Sequence, residues 1–338
     1  MISEQTEFQY VLEKSREFVA QPLALTEQLM SDVATSAPEI LRSRLEQILS
    51  RKGKRIRAIL LLLIANSKDE VAKDNLYKQA SMAAGIELLH LASLVHDDVI
   101  DKSSMRRGGK TPNQRWGNKI AVLLGDYLLA KSMELSFDSG ISQITHILSK
   151  ASASLVAGEV MEIDLAGKLE LSHEEYFILI EGKTSSLFEA CASSGAIIAG
   201  YDAETIKLCE ELGRHFGVTF QIVDDLLDYG VGADDLGKAK FADLANGLTT
   251  LPIIEYFSHA NTSEKDWMRK KLQKASTGEE EAIHLVSDAL NDSGAFSRAT
   301  DLALARVERT KEIIHSLPSS RARELLNEIN LSIVDRPN

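Results

Sequence analysis

The chain has 338 residues and a formal net charge of -12, with 50 acidic side chains against 38 basic ones. This acidic balance excludes a general nucleic-acid binder, whose contact surface would be basic. Hydrophobic residues make up 44% of the chain and charged residues 26%, a composition typical of a globular protein with ample material for a core. No composition shift or low-complexity linker interrupts the sequence, so we expect one domain spanning residues 1–338.

The positions of the prolines predict the fold class. The six prolines lie at 22, 38, 112, 252, 318 and 337 and leave long proline-free stretches. Because proline is costly inside a helix, these stretches permit long helices. Within them apolar residues recur at helical spacing, for example at Leu208, Leu212, Phe216 and Phe220. Alternating strand-like runs are scarce, and the sequence therefore predicts an all-α protein.

From the sequence we expect neither a membrane span nor an export signal. Residues 1–7 are acidic and lack the charged-then-apolar layout of a signal peptide. The longest apolar run, Ile59–Ala65, is far too short to span a bilayer. Cys191 and Cys209 have no metal-ligand or redox spacing, so we expect two buried free thiols. Together these features predict a cytoplasmic protein.

Basic residues occur in several helix-end or loop contexts. The first group, Arg51–Arg57, comes directly before the apolar run Ile59–Ala65. The later groups are Arg106 with Arg107, Lys183 with Thr184, and Lys238. Arginine presents a planar fork and lysine a mobile point charge, and both suit phosphate oxygens. Each group alone is weak evidence, because a basic cluster on the surface usually only solvates a helix end.

Two copies of the motif D-D-x-x-D are the most informative feature of the chain. They are Asp97–Asp101 and Asp224–Asp228, and each follows an apolar, helix-like stretch. Residues three and four apart share one face of a helix, so each motif brings its first and last aspartate together. Carboxylates this close repel one another and are costly to bury without a partner. Magnesium relieves both problems and commonly bridges carboxylates to phosphates, which predicts a metal-dependent diphosphate site.

The alternatives for these motifs are a solvated helix face and a calcium loop. A calcium loop of the EF-hand type needs alternating ligands, a turn glycine and a distal glutamate, which neither motif has. A solvated face is the usual role of one acidic cluster but fits two matching clusters poorly. We expect the helix with the first motif to end at residues 107–112, and the second to end at Gly230–Ala233.

The ordered set of motifs resembles the trans-isoprenyl diphosphate synthases, also called polyprenyl synthetases. The matching segments run in the family's order from about residue 40 to the end of the chain. They are Gly53–Arg57, Leu94–Asp101, Met105–Gly108, Gly182–Thr184, Phe220–Asp228 and Leu236–Lys238. The resemblance implies the isoprenoid synthase fold, an all-α helical bundle around a central cavity. It also implies a prenyltransferase that condenses isopentenyl diphosphate with an allylic diphosphate.

The resemblance assigns a role to each matching residue. Three magnesium ions, which manganese can replace, would be held by Asp97, Asp98, Asp101, Asp224 and Asp228, with Asp225 as a further catalytic carboxylate. The allylic diphosphate would contact Arg106, Lys183 and Lys238, with Thr184 and Gln221 shaping the reacting centre. Isopentenyl diphosphate would be bound by Lys54, Arg57, His90 and Arg107. No nucleic acid is implied as a partner, and the family's usual assembly is a homodimer.

Two residues depart from the family's pattern. The basic motif usually ends in proline, where this chain has Ala58, and a second lysine often stands where this chain has Leu248. The first change leaves the phosphate-binding residues intact. The second removes one diphosphate contact and is similar to the form found in some long-chain members.

The residues just before the first motif bear on the length of the product. In the resembling family the growing chain follows a tunnel along this helix, and short-chain members place an aromatic residue near its floor. This chain has Ala92 and Ser93 there, with Leu89 one turn further, which favours a long product of about eight isoprene units. Small residues at this place also occur in helix packing.

Three alternatives remain open at this point. They are a short-chain farnesyl or geranylgeranyl diphosphate synthase, a terpene cyclase, and a non-catalytic partner subunit. Terpene cyclases usually lack the second D-D-x-x-D motif, and partner subunits typically lose one acidic motif. This chain retains both. A long apolar product also predicts a peripheral membrane contact at its release.

Overall fold

The computed structural model describes residues 6–51, 53–68, 75–106, 108–231, 241–245 and 247–336, and most of them are helical. The α-helices in chain order are α1 (Glu7–Phe18), α2 (Ala20–Thr35), α3 (Glu39–Leu49), α4 (Ile56–Ala65), α5 (Leu76–Ile100), α6 (Pro112–Trp116), α7 (Asn118–Asp138), α8 (Ser142–Leu165), α9 (His173–Ile180), α10 (Ser186–Ile198), α11 (Ala203–Asp228), α12 (Ala242–Ala245), α13 (Leu251–His259), α14 (Thr262–Ala275), α15 (Glu280–Asp292), α16 (Ala295–Ser316) and α17 (Arg321–Ser332). A π-helical turn, Glu181–Ser185, joins α9 to α10, and a short 3-10 helix, Ile333–Asp335, follows α17. The predicted all-α class is confirmed.

The prolines stand where helices tolerate them. Pro38 caps α3, Pro112 is the first residue of α6, and Pro252 is the second residue of α13. In the first turn the missing N–H has no partner in the helix anyway, so the fixed φ of proline costs little there. Pro22 also lies in the first turn of its helix, α2. The long helices between these positions are free of proline, as the sequence predicted.

A small β-hairpin differs from the sequence expectation. The helix that carries the first acidic motif, α5, ends at Ile100 and not at residues 107–112. Two short antiparallel strands follow it, β1 (Met105–Arg106) and β2 (Gly109–Lys110), with Met105 paired to Lys110. The side-chain amide of Asn113 donates to the carbonyl oxygens of Asp98 and Ser103, which fixes the hairpin against the helix end.

The core is built around α4 and α5, and most residues of both helices are buried. In α4 every residue except Arg57 is buried, so this helix is apolar on all sides. It packs against α5 and α10, while α5 also packs against α7. The second half of the chain packs around α11, which contacts α10 and α16. Cys191 and Cys209 are both buried free thiols, as predicted.

The packing brings the ends of both motif helices to one place. The C-terminal ends of α5 and α11, the C-terminal half of α8 and the π-helical turn all contribute side chains to one cavity. Within the described residues, no helix is long and apolar enough to cross a membrane.

Candidate active site

The cavity between α5, α8 and α11 has a volume of about 540 Å³. It contains seven residues that the sequence singled out, namely Asp97, Asp101, Arg106, Lys183, Thr184, Gln221 and Asp225. Four further ionisable residues of the described chain, which the sequence analysis did not propose, also line it, namely Glu159, Glu162, Tyr176 and Asp243. Among the described residues, six carboxylates thus face two cationic side chains, Arg106 and Lys183, and this balance attracts cations.

The first acidic motif divides its aspartates between two faces of α5. Asp97 and Asp101 line the cavity, as the helical spacing predicted. Asp98 is rotated away from this face by about 100°. Its side chain is buried, and Arg106 Nε donates to its Oδ1 at 2.7 Å. The structure therefore does not place Asp98 beside the other two carboxylates, but makes it the partner of a cavity arginine.

The pKa values of this motif reflect burial first and neighbouring negative charge after it. Burial, with Glu159 as the next contribution, raises the pKa of Asp97 to about 7. Burial also raises the pKa of Asp101, against the lowering effect of Lys183. A raised carboxyl pKa means that the charged form lacks compensation, and a bound cation supplies it. The donor set of carboxylate oxygens without thiols or imidazoles suits a hard cation such as magnesium.

The second motif places its middle aspartate in the cavity. Asp225 is buried and accepts hydrogen bonds from Tyr176 Oη at 2.6 Å and from Gln221 Nε2 at 3.0 Å. Burial raises its pKa to about 6. Asp224 is ion-paired with Arg336, and Asp228 Oδ2 accepts from the backbone N–H of Asp243 at 3.1 Å. Neither Asp224 nor Asp228 lines the cavity, although the spacing predicted that these two would meet there.

The π-helical turn presents the predicted lysine and threonine. Its backbone passes so close to α8 that a side chain at Gly158 would meet Lys183 N at 2.6 Å. Lys183 Nζ forms ion pairs with Glu159, at 2.8 Å, and with Glu162. Burial lowers the pKa of Lys183, but the two carboxylates outweigh this effect and raise it overall. Such turns often occur at functional sites because they redirect side chains within a helix.

A chain of hydrogen bonds connects this turn to the second motif. Thr184 Oγ1 donates to Gln221 Oε1 at 2.7 Å, and the amide of Gln221 donates onward to Asp225. The glutamine can therefore adopt only one orientation of its amide group. This arrangement fixes the wall of the cavity between α11 and the π-helical turn.

The basic segment before α4 lies outside the cavity lining. Glu87 of α5 holds it in place, because its carboxylate pairs with Arg55 at 3.1 Å and accepts from Ala58 N at 3.2 Å. A proline at position 58 would have no N–H to donate, so the departure from the family's pattern here gains a hydrogen bond. Arg55 adopts a left-handed backbone, with φ 53°, at the start of this helix.

Arg57 is the most unusual cation of this segment. Its guanidinium lies 4.6 Å from the ring centre of Phe188, and its Nε is buried without a hydrogen-bond partner. Burial lowers its pKa. Lys54 is exposed and His90 is partly buried. The other two predicted basic residues, Arg107 and Lys238, lie outside the described residues.

The residues proposed to set product length occupy three different surroundings. Ala92 is buried in the cluster between α5 and α7, together with Leu88 and Leu124. Leu89 is buried in the cluster around α4. Ser93 is partly buried and its hydroxyl donates to His90 O at 2.8 Å. None of the three lines the cavity, and Ala92 faces the packed core where we expected a tunnel wall.

Few features of the sequence indicated the cavity residues that the sequence analysis missed. Glu159 and Glu162 are spaced like any acidic pair on a solvated helix face, and only the position of Lys183 shows their role. Asp243 follows the second motif by fifteen residues, and burial among acidic neighbours raises its pKa to about 8. Leu248, the second departure from the family's pattern, lines the cavity as an apolar side chain. Among the described residues, no three aspartate, glutamate, histidine or cysteine side chains are grouped closely enough to hold a metal ion by themselves.

Comparison with known proteins identifies the family. Residues 38–289 match the polyprenyl synthetase family. The chain is 34% identical over 318 residues to an all-trans-nonaprenyl-diphosphate synthase (geranyl-diphosphate specific) of Rhodobacter capsulatus, covering 94% of this chain and 96% of that protein. It is 31% identical to the octaprenyl diphosphate synthase of Escherichia coli, covering 93% and 96%.

A solved structure gives the same assignment for the fold. The crystal structure of a decaprenyl diphosphate synthase from Rhodobacter capsulatus superposes with a TM-score of 0.88 at 29% identity. The superposition covers 96% of this chain and 98% of that one. The matched sequence, the ordered motifs and the shared fold agree, and the chain belongs to the polyprenyl synthetase family.

Proposed function

We propose that the protein condenses isopentenyl diphosphate with an allylic diphosphate and extends it to a long trans-polyprenyl diphosphate. The observation that carries this proposal is the cavity in which Asp97 and Asp101 of one motif and Asp225 of the other accompany Arg106 and Lys183. Carboxylates for metal ions and cations for phosphate oxygens are the two requirements of a diphosphate site. The related synthases named above make prenyl chains of eight to ten units, which supports the long product.

Magnesium fits the residues that face the cavity. We propose three ions, replaceable by manganese, held between the diphosphate and the carboxylates of both motifs. Asp97 and Asp101 are the strongest candidates on the first motif, because burial raises the pKa of both in the absence of a cation. Asp224 and Asp228 are the proposed ligands of the second motif, although Asp225 is the carboxylate of that motif that lines the cavity here. We assign Asp98 to positioning Arg106, since its buried carboxylate already holds that guanidinium.

The side chains of the chain itself would prepare the allylic diphosphate for departure. Arg106 and Lys183 would donate to its oxygens and stabilise the charge that develops as the carbon–oxygen bond breaks. Bound magnesium would share that charge. Lys183 must then exchange its partners Glu159 and Glu162 for phosphate oxygens. Thr184 and Gln221, fixed by their mutual hydrogen bond, would form the wall beside the reacting carbon.

The second substrate would be held by the basic segment before α4. We propose that Lys54, Arg57, His90 and Arg107 bind isopentenyl diphosphate. The buried, unpaired Nε of Arg57 supports this role, because a buried donor without a partner is costly and a phosphate oxygen would satisfy it. The double bond of isopentenyl diphosphate would attack the allylic carbon, and loss of one proton would complete the condensation.

The overall activity is tested by one product assay. The purified protein is incubated with magnesium, labelled isopentenyl diphosphate and allylic primers of increasing length, and the dephosphorylated products are separated by chromatography. We expect long polyprenols. Cyclic terpenes from an allylic diphosphate alone, or no incorporation of label with any primer, would contradict the proposal.

The two substrates should respond to different arginines. Arg57→Ala is expected to raise the KM for isopentenyl diphosphate by about tenfold to thirtyfold, because it removes a charge-assisted contact worth about 2 kcal/mol. Its effect on the KM for the allylic diphosphate should be small. Arg106→Ala should show the reverse pattern. Steady-state kinetics with one substrate varied at a time measures both effects, and the opposite assignment would show that the two sites are exchanged.

We propose that the protein assembles as a homodimer through α8. Val156 and Val160 form an apolar stripe one turn apart on this helix, and each is more than half exposed. Such a stripe is unusual on a free surface and marks a contact between proteins. A long apolar product also leads us to propose a peripheral membrane contact at its release.

Val156→Glu should shift the protein from dimer to monomer, because a charge within a buried apolar contact is costly. Light scattering after size-exclusion chromatography measures the mass. Ile178→Glu is the matched control, since Ile178 is equally exposed but lies on α9. A dimer that survives Val156→Glu, or one that is lost in the control, would contradict this interface.

A further inference from the structure

A second cavity lies on the neighbouring side of α5 from the candidate active site. It is formed by α3, α5, the hairpin and α6, and its volume is about 40 Å³. Its floor is apolar and consists of Ile48, Leu91, Leu94, Val95, Pro112 and Trp116. Lys54, Arg57 and His90, the residues proposed to bind isopentenyl diphosphate, do not line it.

The mouth of this cavity concentrates positive charge on an otherwise acidic protein. Arg51, Lys110 and Arg115 all line it, and the guanidinium groups of Arg51 and Arg115 both donate to Lys110 O, at 2.5 and 3.1 Å. Within the described part of the chain, none of these three forms an ion pair with a carboxylate. Asp98, the one carboxylate that the described residues contribute to the lining, is already paired with Arg106. An anion would therefore find several uncompensated partners here.

The size of the cavity limits the apolar part of its ligand. One water molecule needs roughly 10–15 Å³ of such a cavity volume. The cavity of about 40 Å³ therefore offers the space of about three waters. A branched chain of about five carbons fills such a space, whereas a long prenyl chain does not fit. We propose that this cavity binds a phosphate or diphosphate that carries a single five-carbon branched chain, with the chain on the floor and the phosphate between Arg51, Lys110 and Arg115.

This site would communicate with the catalytic cavity through Arg106. Arg106 lines both cavities, and its Nε is held by Asp98. A phosphate at the mouth competes with Asp98 for that guanidinium and draws it away from the catalytic cavity. This consequence rests on the proposed function, and it predicts inhibition by high concentrations of isopentenyl diphosphate. The binding itself does not depend on it.

The cavity contains its own spectroscopic reporter. The chain has two tryptophans, and Trp116 lines the cavity while Trp267 lies on α14. In the full chain carrying Trp267→Phe, isopentenyl monophosphate is titrated in the presence of a chelator, so that metal-dependent binding does not contribute. We expect a saturable change in tryptophan fluorescence.

Matched variants distinguish binding in this cavity from non-specific attraction of the phosphate to positive charge. Arg51→Ala and Arg115→Ala should each weaken binding by about tenfold or more, because each removes a charge-assisted contact. Leu91→Phe should abolish binding by filling the floor without changing the charge. Arg44→Ala is the control, since Arg44 lies on α3 outside the lining. Equal affinity in Arg51→Ala and Arg44→Ala, unchanged binding in Leu91→Phe, or no saturable change up to millimolar concentrations would overturn the proposal.

The condensation assay keeps the two proposals apart. Saturable binding that depends on Arg51, Arg115 and Leu91 supports the second site even if no polyprenol is formed. Normal condensation without such binding overturns the second site and leaves the proposed function standing. If both hold, Arg115→Ala should also relieve inhibition by high isopentenyl diphosphate, whereas Arg44→Ala should not.

Discussion

Asp97→Asn is expected to lower kcat by about a thousandfold or more. The carboxylate of Asp97 lies in the cavity with Asp101, and the amide of asparagine is a much weaker ligand for magnesium. Because the metal ions would act mainly as the diphosphate departs, the KM values should change less than kcat. Turnover is measured with labelled isopentenyl diphosphate at saturating magnesium and primer.

The same substitution should not destabilise the metal-free protein. Burial and Glu159 raise the pKa of Asp97 to about 7, so its charged form opposes folding near neutral pH. Removing that charge should leave the thermal unfolding midpoint equal to or above that of the parent. Asp288→Asn is the control, because Asp288 is exposed on α15 and should change neither activity nor stability. Turnover of Asp97→Asn within tenfold of the parent would contradict the role of this carboxylate.

Ser93→Phe is expected to shorten the product by several isoprene units. Ser93 lies one turn before Asp97 on the same side of α5 and is only partly buried. A phenylalanine there would occupy space that the growing chain must cross, while the first condensation would be unaffected. Chromatography of the dephosphorylated products gives the chain length, and an unchanged distribution would place the growing chain elsewhere.

Ala92→Phe is the informative comparison, because the two residues are neighbours in sequence but face different parts of the protein. Ala92 is packed between α5 and α7, beside Leu88 and Leu124. A phenylalanine there would overpack the core and should reduce the free energy of unfolding by about 1–3 kcal/mol. Denaturant unfolding measures this loss. A shortened product from Ala92→Phe without loss of stability would show that α7 yields to the larger side chain.

The sequence predicted those parts of the site that depend on one helix. The pairing of Asp97 with Asp101 follows from helical spacing alone, and the structure places both in the cavity. The surroundings of Ala92 could not be predicted in this way. Most of α5 is buried, so its sequence does not show which neighbouring helix covers each side. The ion pairs of Lys183 with Glu159 and Glu162 depend on how closely the π-helical turn approaches Gly158, which is a property of the packed structure.

The π-helical turn at Glu181–Ser185 has a consequence for the alignment of the two helices that it joins. A turn of this kind adds one residue to an α-helix, and each residue of an α-helix corresponds to a rotation of about 100°. The side chains of α10 are therefore out of angular phase with those of α9, although both helices follow one another without a break. A single-residue deletion within the turn would restore the phase and rotate Lys183 and Thr184 relative to all of α10. A change in the length of this segment should consequently disturb the site even where Lys183 and Thr184 are both kept.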